Sequence, residues 1–422
     1  MSSTLRSRRA AALLLGMGAT ALALSACTTP TPTPTGAAAE GLPADATIEQ
    51  YQAAFEDVEP IVLRFQTSGT EGSLPNAAPE AYAAAVEEWS GGKITFEWGY
   101  SNAFVPTATE WAAGLADGRI DIGQFAPYYN PDVFPQLNAV TDATFLEGNR
   151  PLSTLVSTGW LTETVLGTAA YAEEAEAGGI HLLTLAPTAN IPGVFCAKEL
   201  SSLADFSGVA VSASGSGRVE QLSSLGFAPQ SIAFTELYEA LERGVVQCGS
   251  TVPSALDSIG AVPLVPHAIA DPEAALVGFP IFLAVGSEKW DSLPLVAQQL
   301  LFDRLGVFLT TEVQARSERN ARWLADTTAA GGGINALAAD ARARLLETNE
   351  KLLAEIAERG ADVDAFEAAV AKWRAIVEDE LYPEVGDSLE SFLTDGVYDE
   401  LDFQLFADRF YDEVLQAHRP GS

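Results

Sequence analysis

Few residues in this 422-residue sequence have the type and spacing for covalent chemistry. Three histidines, His181, His267 and His418, are scattered too widely to share a metal ion. The run Ser212-Ala213-Ser214-Gly215-Ser216-Gly217 offers hydroxyls and free amides, but it lacks the Gly-Lys-Ser/Thr ending of a phosphate-binding loop. HExxH, CxxC, GxSxG and GxGxxG signatures occur in no setting that would make them work. No nucleophile stands with a base and an orienting group. The residues therefore point to binding without chemistry, with no cofactor and no metal.

The three cysteines divide by context. Arg6, Arg8 and Arg9 precede a mostly apolar stretch at residues 10–24, which has the length of a signal-peptide core and is short for a membrane span. Leu24-Ser25-Ala26-Cys27 follows and resembles a bacterial lipoprotein signal, in which the cysteine is lipidated and the chain is cut before it. Residues 1–26 are expected to leave as a signal peptide, with Cys27 as the lipid anchor on the outer face of the cell membrane. Ordinary signal cleavage beside an incidental cysteine is the alternative, and Arg8-Arg9 leaves the export route open between the general and twin-arginine systems. Residues 27–60 read as a tether, because the Thr/Pro run Thr28-Thr29-Pro30-Thr31-Pro32-Thr33-Pro34-Thr35 favours extended backbone over packing. Cys196 and Cys248 remain, an even number in an oxidising compartment. A disulfide between them is expected; two buried thiols on neighbouring strands are the alternative.

With 23 Lys+Arg against 57 Asp+Glu the chain carries a formal charge of −34, which repels phosphate backbones and excludes a nucleic-acid partner. Its 48% hydrophobic content supplies large cores and excludes a disordered chain. Ile61-Val62-Leu63-Arg64-Phe65 reads as a buried strand. Tyr82, Val86 and Trp89 fall on one helix face, which Gly91-Gly92 stops. Ile94-Thr95-Phe96-Glu97-Trp98 is a second strand, residues 107–116 a helix, and residues 120–123 a third strand. That alternation predicts a parallel sheet with crossover helices. It recurs with strands at residues 180–185, 194–197, 209–211 and 245–248 and a helix at 218–225. Residues 274–285 read as one or two buried strands, and the last third as helices at 297–323, 338–359 and 364–381.

At this point a family resemblance is visible. Residues from about 61 to 376 resemble the extracytoplasmic solute-binding subunit of tripartite ATP-independent periplasmic (TRAP) transporters, of dicarboxylate-receptor type. The similarity lies in Glu88-Trp89-Ser90-Gly91-Gly92-Lys93-Ile94, Ala113-Gly114-Leu115 with Gly118-Arg119-Ile120-Asp121-Ile122-Gly123, Leu203-Ala204-Asp205-Phe206-Ser207-Gly208, Phe234-Thr235-Glu236-Leu237-Tyr238-Glu239-Ala240-Leu241, and Trp290-Asp291-Ser292-Leu293-Pro294. The resemblance implies an α/β, two-lobed periplasmic-binding-protein-like (type II) fold with a long connecting helix and a helical C-terminal region. It implies a monomeric receptor that closes on a small organic solute and docks on a TRAP membrane permease. It further implies that Phe234 packs on the solute, that Asn102, Phe104, Gln124 and Tyr128 line the cleft from one lobe, and that Thr251 lines it from the other.

The sequence departs from that family where a carboxylate is usually gripped. Ser212 and Asn190 stand where the family usually has arginines, and a serine cannot supply the charge a desolvated carboxylate needs. Either Arg218 reaches the cleft with loop amides of residues 214–217 helping at a helix start, or the solute is neutral. Arg218 on a surface helix is the alternative for that residue, and Arg218→Ala is expected to leave stability unchanged. A lipoprotein sensor or scavenger, or a secreted enzyme, are the competing functions. The expected organisation is lobe I at residues 61–185 plus 272–310, lobe II with rear helices at 186–271 plus 311–376, and an acidic extension at 377–422.

Overall fold

The computed structural model describes residues 41–186, 191 and 193–421. The signal peptide, Cys27, the Thr/Pro run and Asn190 lie outside the described residues. The strands are β1 (Ile61–Gln66), β2 (Ile94–Gly99), β3 (Ile122–Phe125), β4 (Ile180–Ala186), β5 (Gly193–Cys196), β6 (Ala210–Ser212), β7 (Ala228–Gln230), β8 (Cys248–Thr251), β9 (His267–Ile269), β10 (Ile281–Gly286) and β11 (Gly333–Asn335). They form two mixed sheets, ordered β2-β1-β3-β10-β4 and β11-β9-β5-β8-β6-β7.

β1 alternates as a half-buried strand should, with Leu63 and Phe65 inside and Val62 exposed. Phe65 is in register with Trp98 of β2 and stacks on it at 5.0 Å. β1, β2 and β3 run parallel, as strand–helix–strand alternation demands, while β10 inserts antiparallel between β3 and β4.

Several expected bounds shift for local reasons. The strand expected at 245–248 is Cys248–Thr251, because Gly244 turns left-handed (φ 69°) and residues 243–246 close the preceding helix. Within the apolar run at 274–285 only Ile281 onward is strand. The part before it is a buried crossing segment whose backbone is satisfied by side chains: Val277 N–H donates to Gln221 Oε1, Gly278 N–H to Thr144 Oγ1, and Ala275 O accepts from Asn349 Nδ2. The helix expected at 297–323 is two, Leu295–Asp303 and Leu305–Ala329, broken at Arg304, whose guanidinium lies 3.5 Å from the Trp89 ring centroid.

Strand direction fixes where a site belongs. In the first sheet Gln66, Gly99, Phe125 and Ala186 end on one edge, where β10 begins at Ile281. In the second, Ser212, Gln230, Thr251, Ile269 and Asn335 end on one edge, where β5 begins at Gly193. The chain crosses between the sheets three times: from Ala186 to Gly193 and from Ile269 to Ile281, which join these two carboxyl edges, and from Gly286 to Gly333 through the long helix.

The helix Leu305–Ala329, about 37 Å long at 1.5 Å per residue, spans both sheets. Phe308 meets Tyr82 on the first-sheet side at 6.2 Å, and Trp323 meets Phe195 of β5 at 5.5 Å. The extension beyond residue 376 packs back on the body: Phe406 and Phe410 lie 6.1 and 5.8 Å from Trp373. Near the chain end Arg419 pairs with buried Asp303 at 2.8 Å and donates to Leu42 O, while Tyr51 O–H donates to Asp303.

Candidate functional site

The first-sheet edge is built around Gln66. Its Oε1 accepts from Val105 N–H at 2.7 Å and its Nε2 donates to Val105 O at 3.1 Å, which fixes the loop after β2. In that loop Ser101 and Asn102 adopt left-handed backbone, φ 54° and 59°. Such strain costs on the order of 1–3 kcal/mol per residue and persists only where surroundings impose it. Here Asn102 N–H donates to Thr67 O, and Asn102 Oδ1 faces Gln66 Nε2 at 3.5 Å. Phe104 lies over Gly99, where a Cβ would come 2.4 Å from the ring, so only glycine fits. Gln124 is partly buried on β3. Tyr128, in the turn after β3, has its ring 4.5 Å from Tyr129 and 5.8 Å from Phe279 of the second crossing segment. Burial first, and Tyr129 second, push its hydroxyl well above the ordinary range, so it stays protonated and can donate.

Arg218 approaches the same ring from the second sheet, its guanidinium carbon 4.3 Å from the Phe279 centroid. It sits in the helix Ser216–Ser224 and is 1% exposed, which excludes the surface-helix alternative. Nε donates to Val277 O at 2.8 Å, Nη1 to Gly193 O at 3.3 Å and Ser250 Oγ at 2.6 Å, and Nη2 also to Val277 O. All these acceptors are neutral, and among the described residues no carboxylate pairs with it. Desolvation accordingly pushes its pKa down to about 9. By holding Val277 and Gly193, Arg218 also ties the second crossing segment to the end of the first.

Of the expected amides 214–217, that of Gly217 is already engaged. Gly217 N–H, at the start of the Arg218 helix, donates to Asp142, and Asp142 also takes Arg359 Nη2 at 3.2 Å. Asp142 ends the helix Pro135–Asp142, whose first amides are held by Glu174 on the first-sheet side, so this carboxylate bridges the two sides of the molecule. A negative group already occupies that helix end, so it does not await a solute.

The other expected residues have clear places. Ser212 is buried where β6 ends, beside Gly249. Thr251 ends β8 opposite Gly193. Phe234 is 46% exposed at the start of a turn and outside the Tyr128–Phe279–Arg218 stack. Cys196 and Cys248 face each other across β5 and β8 and form the disulfide, two residues from Ser250 and three from Gly193. Sequence reasoning missed Gln66, Ser250 and Phe279. A polar residue closing an apolar strand marks Gln66; nothing in the sequence marks the other two. Among the described residues no cluster of His, Cys, Asp or Glu suits a metal ion, and no helix is long and apolar enough to cross a membrane.

Set beside known proteins, residues 66–360 match the family described as bacterial extracellular solute-binding protein, family 7. No curated protein matches. Among solved structures the chain is similar to a TRAP periplasmic solute-binding protein from Desulfovibrio salexigens DSM2638 in an open complex, with 22% identity, TM-score 0.60, and 76% of this chain and 97% of that one covered. A marine metagenome TRAP solute-binding protein specific for aromatic acid ligands, bound to 3-hydroxybenzoate, shares 18% identity with TM-score 0.63, covering 75% and 99%. The sugar acid binding protein of Advenella mimigardefordensis strain DPN7T, in complex with galactonate, shares 17% with TM-score 0.62, covering 75% and 100%.

Proposed function

We propose that this chain, which belongs to family 7 of the bacterial extracellular solute-binding proteins, is the receptor subunit of a TRAP transporter and holds a small organic acid between the carboxyl edges of its two sheets. The observation that carries this reading is Arg218, buried and charged, with hydrogen-bond acceptors but no counter-charge. Burying a cation is expensive unless another charge compensates it. A solute carboxylate beside Arg218 and the Ser250 hydroxyl supplies that charge. Tyr128 and Phe279 offer ring surface to the rest of the solute, Asn102, Gln124, Ser212 and Thr251 offer polar contacts, and Phe234 is the exposed aromatic lip. The acids seen in the similar structures, 3-hydroxybenzoate and galactonate, support the class.

Binding favours the closed arrangement over the open one by the difference in affinity for the two. The permease takes the solute from the closed receptor, and the solute leaves unaltered. Cys27 carries the lipid, the part of the 27–60 tether that precedes the packed helix Ile48–Phe55 holds the monomeric body off the outer face of the membrane, and the work needs no cofactor.

One observation favours a second reading, a neutral solute. Arg218 already makes four of its five possible N–H donations, and Ser212 carries no charge. Isothermal titration with galactonate, 3-hydroxybenzoate and the corresponding amides separates the two. The acid reading predicts binding of an acid but not of its amide; equal binding of both turns the assignment to the neutral class.

A further inference from the structure

The long helix carries a row of buried donors that the site above leaves unused. Arg316 Nε, Arg319 Nε, Asn320 Nδ2, Trp323 Nε1 and Thr327 Oγ1 are all buried without a hydrogen-bond partner. They stand at i, i+3, i+4, i+7 and i+11, one face of a helix, over about 16 Å. Buried donors seldom go unpaired, so a row of five on one face calls for acceptors.

At the head of the row two cations share one carboxylate. Glu312 Oε1 accepts from Arg316 Nη2, and from Arg319 Nη2 at 3.3 Å. Arg316 is 8% exposed, Arg319 6% and Asn320 2%. Asp257 attracts Arg319 only at longer range. Burial, with Arg316 next, pushes Arg319 down to about 10, as expected for an undercompensated cation.

The row lies along the second sheet. Arg316 Nη1 faces Ser254 Oγ at 3.5 Å, on the helix Pro253–Ser258, which begins two residues past Thr251 at the carboxyl edge. Trp323 meets Phe195 of β5. Side chains alternate across a strand, so Val194 and Ser250 face Arg218, while Phe195 faces the long helix through Trp323. The row and Arg218 thus flank the same pair of strands from opposite faces.

We propose that Arg319, with Asn320 and Trp323, forms a second solute-contacting surface on the long helix, specific for an anionic or oxygen-rich group distal to the carboxylate beside Arg218. This rests on the receptor reading above. Arg316 retains Glu312, Arg319 brings the spare charge, and Asn320 and Trp323 donate to the solute's oxygens.

Arg319→Met tests it, because it keeps side-chain length and leaves the Glu312–Arg316 pair intact. The full chain is titrated with galactonate and with galactarate, its diacid counterpart, and its melting temperature is measured without solute. The proposal predicts that wild type prefers galactarate, that Arg319→Met weakens galactarate at least tenfold but galactonate less than twofold, and that the solute-free variant melts no lower than wild type. A lower melting temperature makes Arg319 a structural residue and overturns the proposal. Unchanged galactarate affinity, the result if water alone satisfies the row, also overturns it. Wild-type binding of galactonate without preference for galactarate keeps the receptor reading and overturns this one; binding of neither overturns this one and leaves the receptor reading to the 3-hydroxybenzoate titration.

Discussion

Arg218 is a buried cation held by neutral acceptors. Its burial changes what substitution should do: Arg218→Met removes charge-assisted bonds to Val277, Gly193 and Ser250, so it should lower stability by about 1–3 kcal/mol. The same change should weaken an acid solute by on the order of 30-fold or more, a charge-assisted bond contributing about 2 kcal/mol. Chemical denaturation and titration check the two effects separately. Glu147 makes an independent prediction. Its carboxyl is buried against Trp160 Nε1 at 3.0 Å, and desolvation raises it to about 8 from the ordinary 4.5. The folded state then holds a proton that the unfolded state has released, so stability is full below about pH 4.5 and falls as pH rises through 8. The melting temperature should decline from pH 5 to pH 9, and Glu147→Gln should flatten that decline; parallel profiles would remove Glu147 as the cause. Part of the candidate site was legible at this scale. Arginine at 218 and serine at 212 were visible as an exchange of positions for charge. The burial of Arg218 was not, because its acceptors are backbone carbonyls at Gly193 and Val277, which leave no trace in residue type.

Elements hold these residues in place. The Cys196–Cys248 disulfide joins the two strands that carry both Gly193 and Ser250. Replacing both cysteines by serine should lower stability by about 4 kcal/mol on the loop-entropy account for 52 residues of separation. It should also loosen acid binding, since two of the groups that hold Arg218 lose their brace. Loss of stability with unchanged affinity would show that hydrogen bonding alone keeps β5 and β8 in register. The C-terminal extension is likewise structural. Arg419 and Asp303 are both buried, so Arg419→Ala strands a carboxylate and should cost about 3–5 kcal/mol, read by denaturant unfolding. Elements with a one-sided apolar pattern, such as Ala77–Trp89, were readable from sequence. Ser153–Gly167 was not, because Leu155, Trp160, Thr158 and Thr162 are buried around its whole circumference and no stripe remains. Three-residue strands such as β7, β9 and β11 are too short to show a period.

For the whole molecule the formal charge of −34 opposes the capture of an anion, and local cations must overcome it. Like-charge repulsion is screened by salt, so association of an acid solute should speed up as ionic strength rises from about 0.01 to 0.15 M, where the screening length falls from about 30 to 8 Å. Stopped-flow fluorescence measures this; a rate that falls with salt would mean that positive surface steers the solute. Asp142, bridging Gly217 and Arg359, links the two sides without a solute. Asp142→Asn should therefore shift the solute-free protein toward a larger radius of gyration in small-angle scattering. The most direct test of the receptor account is a crystal structure of the wild-type chain with its tightest-binding acid. The account predicts the intact acid between the two carboxyl edges, its carboxylate within hydrogen-bond distance of Arg218 or of the Ser250 hydroxyl. An acid seated away from those edges, or recovered there as a chemically altered product, would contradict it.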